Sequence, residues 1–242
     1  MRDPGELLLE IYDRLLERFG PQGWWPAEDE FEMAVGAILT QSTAWANVEK
    51  AIAKLRQAGL LEPAALERAP LEAVSEAVRP SGYFRQKARK LKAFSRHLHQ
   101  QHGGSLASLF HVKLPDLRSE LLGVWGIGPE TADSIVLYGA RQPVFVVDAY
   151  TRRIFSRLGL VSPAAGYGEM QSLFAANLAP SVPLFQEYHA LIVAHGKVIC
   201  RPAPRCDDCP LSDLCPTGDT VLGGVMPPRQ RLPRRPNGSP AA

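Results

Sequence analysis

Long apolar runs are missing from this 242-residue chain. None approaches the ~20 residues that a membrane-spanning helix needs. The N-terminal stretch, MRDPGELLLEIYDRLLERFG, carries charges throughout, so it reads as an amphipathic helix and not as a signal peptide. An excess of charge of one sign is missing too: 27 Lys and Arg stand against 25 Asp and Glu, a formal net charge of +2. The whole-molecule field therefore does not announce a polyanion, and any nucleic-acid contact must come from local patches. Alternation with period two is confined to Val144–Val147, too short to found a sheet, and there is neither an internal repeat nor a coiled-coil heptad. Cysteine is absent before residue 200, which excludes a disulfide framework for the body of the fold. What these absences leave is an all-α, soluble, cytoplasmic protein, long enough for one large domain or two small ones.

Helical spacing, by contrast, is abundant. Leu7, Leu8, Ile11, Leu15 and Leu16 predict a first helix ending near Gly20-Pro21, and Phe31, Val35, Ile38 and Leu39 a second over residues 28–40. Between them lies Trp24-Trp25-Pro26. Two adjacent tryptophans in a polar turn are either core anchors or a stacking surface, and burial is the default. The second helix runs into a polar break, Gln41-Ser42-Thr43-Ala44-Trp45. Further helices are predicted over 47–58, 71–78 and 86–102, separated by Gly59, Pro63, Pro70 and Pro80-Ser81-Gly82. Arg85, Lys87, Arg89, Lys90, Lys92 and Arg96 form a charge run that fits a solvated face or a DNA contact. Beyond Gly103-Gly104, helices are predicted over 114–122, 149–158, 167–178 and 184–198. From Asp219 onward the Pro- and Gly-rich tail is expected to be disordered, with Arg229, Arg231, Arg234 and Arg235 giving at most weak, salt-sensitive DNA affinity.

The richest stretch is Leu121–Arg153. Gly123 and Gly126-Ile127-Gly128 permit a tight hairpin, and Pro129 is suited to a first helical position with Glu130 and Thr131 behind it. Turn and helix start together aim N–H donors at one spot, where a phosphate binds; an ordinary helical hairpin is the plainer alternative. Ala132, Ile135, Val136 and Gly139 give the next helix a small apolar face. A second turn delivers Asp148 to another helix start, where a lone Asp is most often an N-cap.

The four cysteines are Cys200, Cys206, Cys209 and Cys215, separated by five, two and five residues. Such clustering in a cytosolic chain points to a metal or cluster. Four thiolates suit a [4Fe–4S] cluster better than zinc, whose ribbons pair two distant Cys-x-x-Cys knuckles.

The order Leu-Gly-x-x-Gly-x-Gly-x-x-Thr-Ala, an apolar helix and then Val-Val-Asp resembles the helix-hairpin-helix DNA glycosylases of the endonuclease III superfamily. The resemblance extends over most of residues 24–216. It includes Gly82-Tyr83-Phe84-x-x-Lys87-Ala88-x-x-Leu91 and the cysteine loop with the preceding His195-Gly196-Lys197, although the first cysteine spacer is one residue shorter than usual in the family. It implies a two-lobed helix-hairpin-helix fold: a central domain over 28–140 with the hairpin at about 117–140, and a second domain of 1–27 plus 141–218 bearing a C-terminal iron–sulfur loop at 200–215. It also implies a monomeric bacterial enzyme of the nucleoid that acts on double-stranded DNA containing damaged bases and holds a [4Fe–4S] cluster on the four cysteines.

By the same resemblance Asp148 drives cleavage of the base–sugar bond, Gln41 and Ser42 enter the DNA stack, Gly126 and Gly128 grip the backbone, and Lys197, Arg201 and Arg205 meet phosphates. Bifunctional members carry a lysine where Glu130 stands. Glutamate cannot form an imine, so a monofunctional enzyme is expected. This feature, with Trp24-Trp25-Pro26 and Leu39-Thr40-Gln41, is most similar to the 3-methyladenine glycosylase branch. A base pocket of Trp24, Trp25 and Trp45 fits a cationic alkylated purine. The alternatives are a glycosylase and AP lyase acting on oxidised pyrimidines, a catalytically weak damage-binding protein on the same scaffold, and a zinc-stabilised interaction module.

Overall fold

The structure is a computed structural model that describes residues 3–222. These residues form helices α1 (Pro4–Phe19), α2 (Glu30–Leu39), α3 (Trp45–Gln57), α4 (Pro63–Arg68), α5 (Leu71–Ala77), α6 (Phe84–His102), α7 (Leu106–Phe110), α8 (Asp116–Gly123), α9 (Pro129–Ser134), α10 (Ala149–Arg157), α11 (Tyr167–Asn177), α12 (Val182–Val198) and α13 (Pro216–Leu222). No strand occurs among the described residues, as expected of an all-α chain.

Local chemistry sets the helix ends. Asp3, Asp29, Ser105, Asp148 and Ser181 each accept a hydrogen bond from a backbone N–H in the first turn that follows. Every residue of α2 from Phe31 to Leu39 is buried. A helix with no polar face must be surrounded, and α3, α6 and α9 pack around it. On the other side of the molecule, α1 packs against α11 and α12, and α10 against α12.

Several expectations change. Helices α4 and α7 fill stretches expected to be breaks, because Pro63 and Ser105 start short helices there. The tail expected to be disordered from Asp219 is helical to Leu222, and Arg229, Arg231, Arg234 and Arg235 lie outside the described residues. Gly123 is not demanded by the hairpin: it is the last residue of α8, and a Cβ there would meet nothing within 4 Å.

The basic run of α6 divides: Arg85, Arg89 and Arg96 are exposed, whereas Lys87 and Lys92 turn toward backbone carbonyls. Lys87 is 2% exposed and donates to the carbonyls of Leu39 (2.8 Å) and Ser81 (2.6 Å). Lys92 donates to those of Glu67 and Ala69, both at 2.6 Å. These ammonium groups satisfy carbonyls near helix C-termini, where a cation is also favoured by the helix dipole.

Val144–Val147 does not alternate either. All four residues are buried, and Phe145 stacks on Phe174 with ring centroids 3.6 Å apart. The segment is held from below by the fully buried Asp133, whose carboxylate accepts from Arg118 Nε (2.6 Å), the Tyr167 hydroxyl (2.7 Å) and Gln171 Nε2 (2.7 Å). Gln171 also donates to the Phe145 carbonyl (2.7 Å), and Tyr167 Oη accepts from the Val147 N–H (3.3 Å). Asp133 thereby ties α8, α9 and α11 to the chain that enters Asp148.

Candidate active site

The hairpin turns through Val124–Gly128, closed by Ile127 N–H donating to the Val124 carbonyl at 3.1 Å. Gly126 has φ +87° and lies so near the Lys90 side chain that an added Cβ would stand 2.4 Å from Lys90 Cγ. Any side chain there must displace Lys90 and hold a left-handed backbone that glycine adopts freely. Gly128 differs: its φ is −98° and a Cβ would meet nothing within 4 Å. Nothing inside the protein asks for glycine at 128. Beyond α9 the chain continues as a π-helical turn over Ile135–Gly139, which carries Tyr138 inward.

Asp148 caps α10 and keeps one oxygen to spare. Its Oδ1 accepts from the Thr151 N–H (2.7 Å) and hydroxyl (2.9 Å), and the Asp148 N–H donates to Thr151 Oγ1 (3.4 Å), which completes a capping box. Its Oδ2 faces His189 Nε2, 3.8 Å away, and the Asp148 side chain is only 11% exposed. Burial pushes this carboxyl up, but His189 and the two Thr151 donors outweigh burial and hold it below the ordinary aspartate range.

His189, on α12, is a residue that periodicity did not single out. The Tyr138 hydroxyl donates to the Gln186 carbonyl (3.2 Å) and lies 2.8 Å from His189 Nδ1. Where the hydroxyl proton points at Gln186, His189 Nδ1–H donates to the hydroxyl; where it points at Nδ1, the ring proton sits on Nε2 and faces Asp148. That nitrogen is buried and has no hydrogen-bond partner within the protein. Asp148 Oδ2 and His189 Nε2 thus stand 3.8 Å apart, just beyond hydrogen-bond distance.

Glu130, in the first turn of α9, lies in the same electrostatic environment. Its carboxyl is pushed up to about 7, first by desolvation and then by the negative charge of Asp148, with His189 acting in the opposite sense. The residue stays exposed at its outer side, so solvent screens part of this upward push.

The three tryptophans do come together. Trp24 and Trp45 have ring centroids 4.7 Å apart, and Trp25 lies 5.3 Å from each of them. All three are half-buried, and Trp25 reaches Tyr138 at 5.2 Å. An aromatic path thus leads from the tryptophans through Tyr138 to His189 and Asp148. Gly36 leaves room for it, since a Cβ there would sit 3.3 Å from Trp25 Nε1 and 3.5 Å from Trp45.

Gln41 and Ser42 part company. Gln41 Nε2 donates to the Thr131 hydroxyl (2.9 Å) and the Gly126 carbonyl (3.2 Å), and its Oε1 accepts from Lys90 Nζ, so it braces the hairpin from within. Ser42 is exposed in the left-handed region at φ +56°, the kind of backbone strain that gathers at functional loops. Trp125 at the hairpin tip is 55% exposed and Tyr83 is 72% exposed. Hydrophobic patterning passes over both, because a lone aromatic beside glycine carries no period.

The cysteines converge at the far end of α12. All four are free thiols around a cavity completed by Ile154, Leu158, His195, Ile199 and Leu211. Arg157 Nη1 donates to Cys200 Sγ (3.3 Å) and to the Arg201 carbonyl (2.6 Å), while Arg153 donates to the carbonyls of Cys200 (2.8 Å) and Gly196 (2.9 Å). Four sulfurs, apolar walls and adjacent guanidinium groups make a donor set fit for an iron–sulfur cluster, whose net negative charge such cations offset. Lys197, Arg201 and Arg205 stand exposed beside this loop.

A helical protein with a glycine hairpin feeding a buried aspartate is the architecture of one class. The chain belongs to the HhH-GPD superfamily of base excision DNA repair proteins, whose model matches residues 35–180. Among its relatives, a provisionally assigned DNA repair glycosylase of Methanocaldococcus jannaschii is 44% identical over 206 residues, 84% of this chain and 93% of that protein. Endonuclease III of Thermotoga maritima is 31% identical over 182 residues, 75% of this chain and 80% of the relative. Among solved structures, a trapped covalent intermediate of endonuclease III with DNA shares the fold, with a TM-score of 0.78 at 22% identity over 90% of this chain and 98% of that one. The H. pylori 3-methyladenine DNA glycosylase bound to 1,N6-ethenoadenine gives a TM-score of 0.70 at 28% identity, covering 81% and 98% of the two chains.

Proposed function

We propose that this protein is a monofunctional DNA N-glycosylase of base excision repair that releases alkylated purines, such as 3-methyladenine, from double-stranded DNA. The observation that carries the proposal is the nearly buried Asp148 carboxylate, which spends Oδ1 on its helix cap, keeps Oδ2 clear of it and has His189 Nε2 3.8 Å away. A water admitted beside Asp148 with the target nucleotide donates one hydrogen to Oδ2 and turns a lone pair toward the sugar. As the glycosidic bond breaks, its electrons leave with the base and positive charge builds on the sugar. Ionised Asp148 stabilises that charge. Water oxygen bonds to the sugar carbon and its proton passes to Asp148 Oδ2, giving free base and an abasic sugar. A cationic alkylated purine departs neutral and needs no acid.

The tryptophan cluster supplies an electron-rich surface worth about 0.5–2 kcal/mol to a cation. The open space at Gly128 admits a phosphate to the hairpin backbone, and exposed Ser42 is positioned to enter the vacated stack. The same reading divides the chain into a domain over 28–140 and a second one of 1–27 plus 141–218. Cys200, Cys206, Cys209 and Cys215 would hold a [4Fe–4S] cluster, which when bound supplies a rigid knot that presents Lys197, Arg201 and Arg205 to DNA.

The test is base release by purified protein from duplexes carrying methylated purines or thymine glycol. Methylpurine release that falls about 10²–10⁴-fold in Asp148→Asn, with DNA binding retained, supports the proposal. Full activity in Asp148→Asn would leave Asp148 as a helix cap only and refute the proposal. The similarity to Thermotoga endonuclease III favours a second reading, a lyase acting on oxidised pyrimidines. Glu130 offers no amine for that chemistry, so a covalent adduct trapped by borohydride would mean that another lysine attacks the sugar and would establish the lyase in place of our reading.

A further inference from the structure

Away from the cleft, α6 and α8 bring together three metal-ligating side chains that the proposed reaction does not use. His97 and His102 lie in the C-terminal part of α6, and Glu120 on α8. His97 Nε2 is 2.7 Å, and His102 Nε2 2.6 Å, from the same carboxylate oxygen, Glu120 Oε1. The side chains are partly buried, at 22%, 10% and 24% exposure for His97, His102 and Glu120. His102 Nδ1 sits 3.3 Å from Ser108 Oγ.

We propose that His97, His102 and Glu120 form a binding site for a late first-row divalent cation, with zinc as the best match. Two imidazoles and one carboxylate make a borderline donor set that suits zinc and its neighbours, whereas magnesium and calcium prefer oxygen alone. Three protein ligands leave a fourth position for water. Ligation through Nε2 requires the imidazole proton on Nδ1, and at His102 Ser108 Oγ stands ready to accept it, which fixes both tautomer and ring direction. The three ligand atoms lie within 4.8 Å of one another. Tetrahedral bonds of ~2.0–2.1 Å need ligand atoms about 3.3 Å apart, so side-chain rotations that open the two contacts to Glu120 Oε1 and bring the two imidazole nitrogens, now within 4.8 Å, to that spacing seat the ion.

The location gives the ion a consequence. α8 runs directly into the hairpin, and Lys90 of α6 packs under Gly126 and reaches Gln41. A cation at His97, His102 and Glu120 staples the two helices that hold the hairpin turn.

The experiment uses the full-length protein with its cysteine loop loaded, dialysed free of added metal and titrated with zinc. One zinc ion per chain is expected. The melting temperature should rise by about 5–10 °C at a hundredfold excess over the dissociation constant. Both effects should vanish in His97→Gln/His102→Gln and weaken in Glu120→Gln, a shape-conserving change that guards against misfolding of the double variant. Cobalt is the second probe, since binding by nitrogen and oxygen gives visible d–d bands without thiolate charge transfer. Equal zinc uptake by wild type and the double variant, or thiolate charge transfer on adding cobalt, would overturn the proposal and leave the trio as a hydrogen-bonded contact between α6 and α8.

Discussion

At the residue scale the two hairpin glycines make opposite demands. Gly126→Ala puts a Cβ at φ +87° against Lys90 Cγ and should cost about 1–3 kcal/mol of stability. Gly128→Ala faces open space at φ −98° and should change stability by less than about 0.5 kcal/mol. It should nevertheless weaken duplex binding about tenfold, the worth of one hydrogen bond to a charged group. Thermal melts and binding titrations on the two variants separate a fold requirement from a ligand requirement. Glu130 gives a second residue-scale prediction. Its carboxyl is raised to about 7 in the folded chain, above the ordinary ~4.3 of the unfolded chain. The native state therefore binds more protons between those values, and stability from this group is present below about pH 4 and lost as pH rises through about 7. Glu130→Gln should match wild type in melting temperature near pH 4.5 and exceed it at pH 8. A constant difference across that range would mean that Glu130 is not perturbed.

At the element scale the delivery of Asp148 rests on a segment without secondary structure. Val144–Val147 is buried on all sides and Asp133 carries the donors that hold it. Asp133→Asn leaves Arg118 facing a neutral group and should destabilise the fold by about 2–3 kcal/mol, toward the low side for a buried pair because Arg118 keeps solvent contact. That corresponds to a melting temperature about 5–10 °C lower, and base release should fall beyond what unfolding explains, since Asp148 would no longer be held. The helix starts here were legible in sequence because a cap is a local event: Asp148 followed by Thr151 gives the capping box directly. The lysines of α6 were not. Lys87 and Lys92 look solvated along the chain and become structural only when carbonyls from residues 39, 66–69 and 81 arrive from elsewhere.

At the scale of the whole molecule, a net charge of +2 leaves DNA affinity to patches, so salt dependence reports them one by one. Lys197→Ala and Arg201→Ala should each weaken binding to any duplex sequence alike and reduce the slope of log affinity against log salt by about 1. Unchanged slopes would place the DNA elsewhere on the surface. Protein purified without chelator should be brown and contain iron and acid-labile sulfide. Removing the cluster should reduce binding along with the colour, because Arg201 and Arg205 lie on the stretch between two of its proposed ligands, Cys200 and Cys206.

By itself the sequence determined the helical class, the hairpin, the capped Asp148 and the converging cysteines. Each is written in near neighbours, as a 3.6-residue period, a turn glycine, a cap or a ligand spacing. Only the tertiary structure decided which side chains share a site. His189 approaches Asp148 from 41 residues along the chain, a count read from their numbers, and Gln41 finds the hairpin across a separation of 85. Trp25 meets Tyr138, and His97 meets Glu120, in the same way. Such meetings depend on how helices pack, and a buried nitrogen left without a partner becomes visible only once every neighbour is in place.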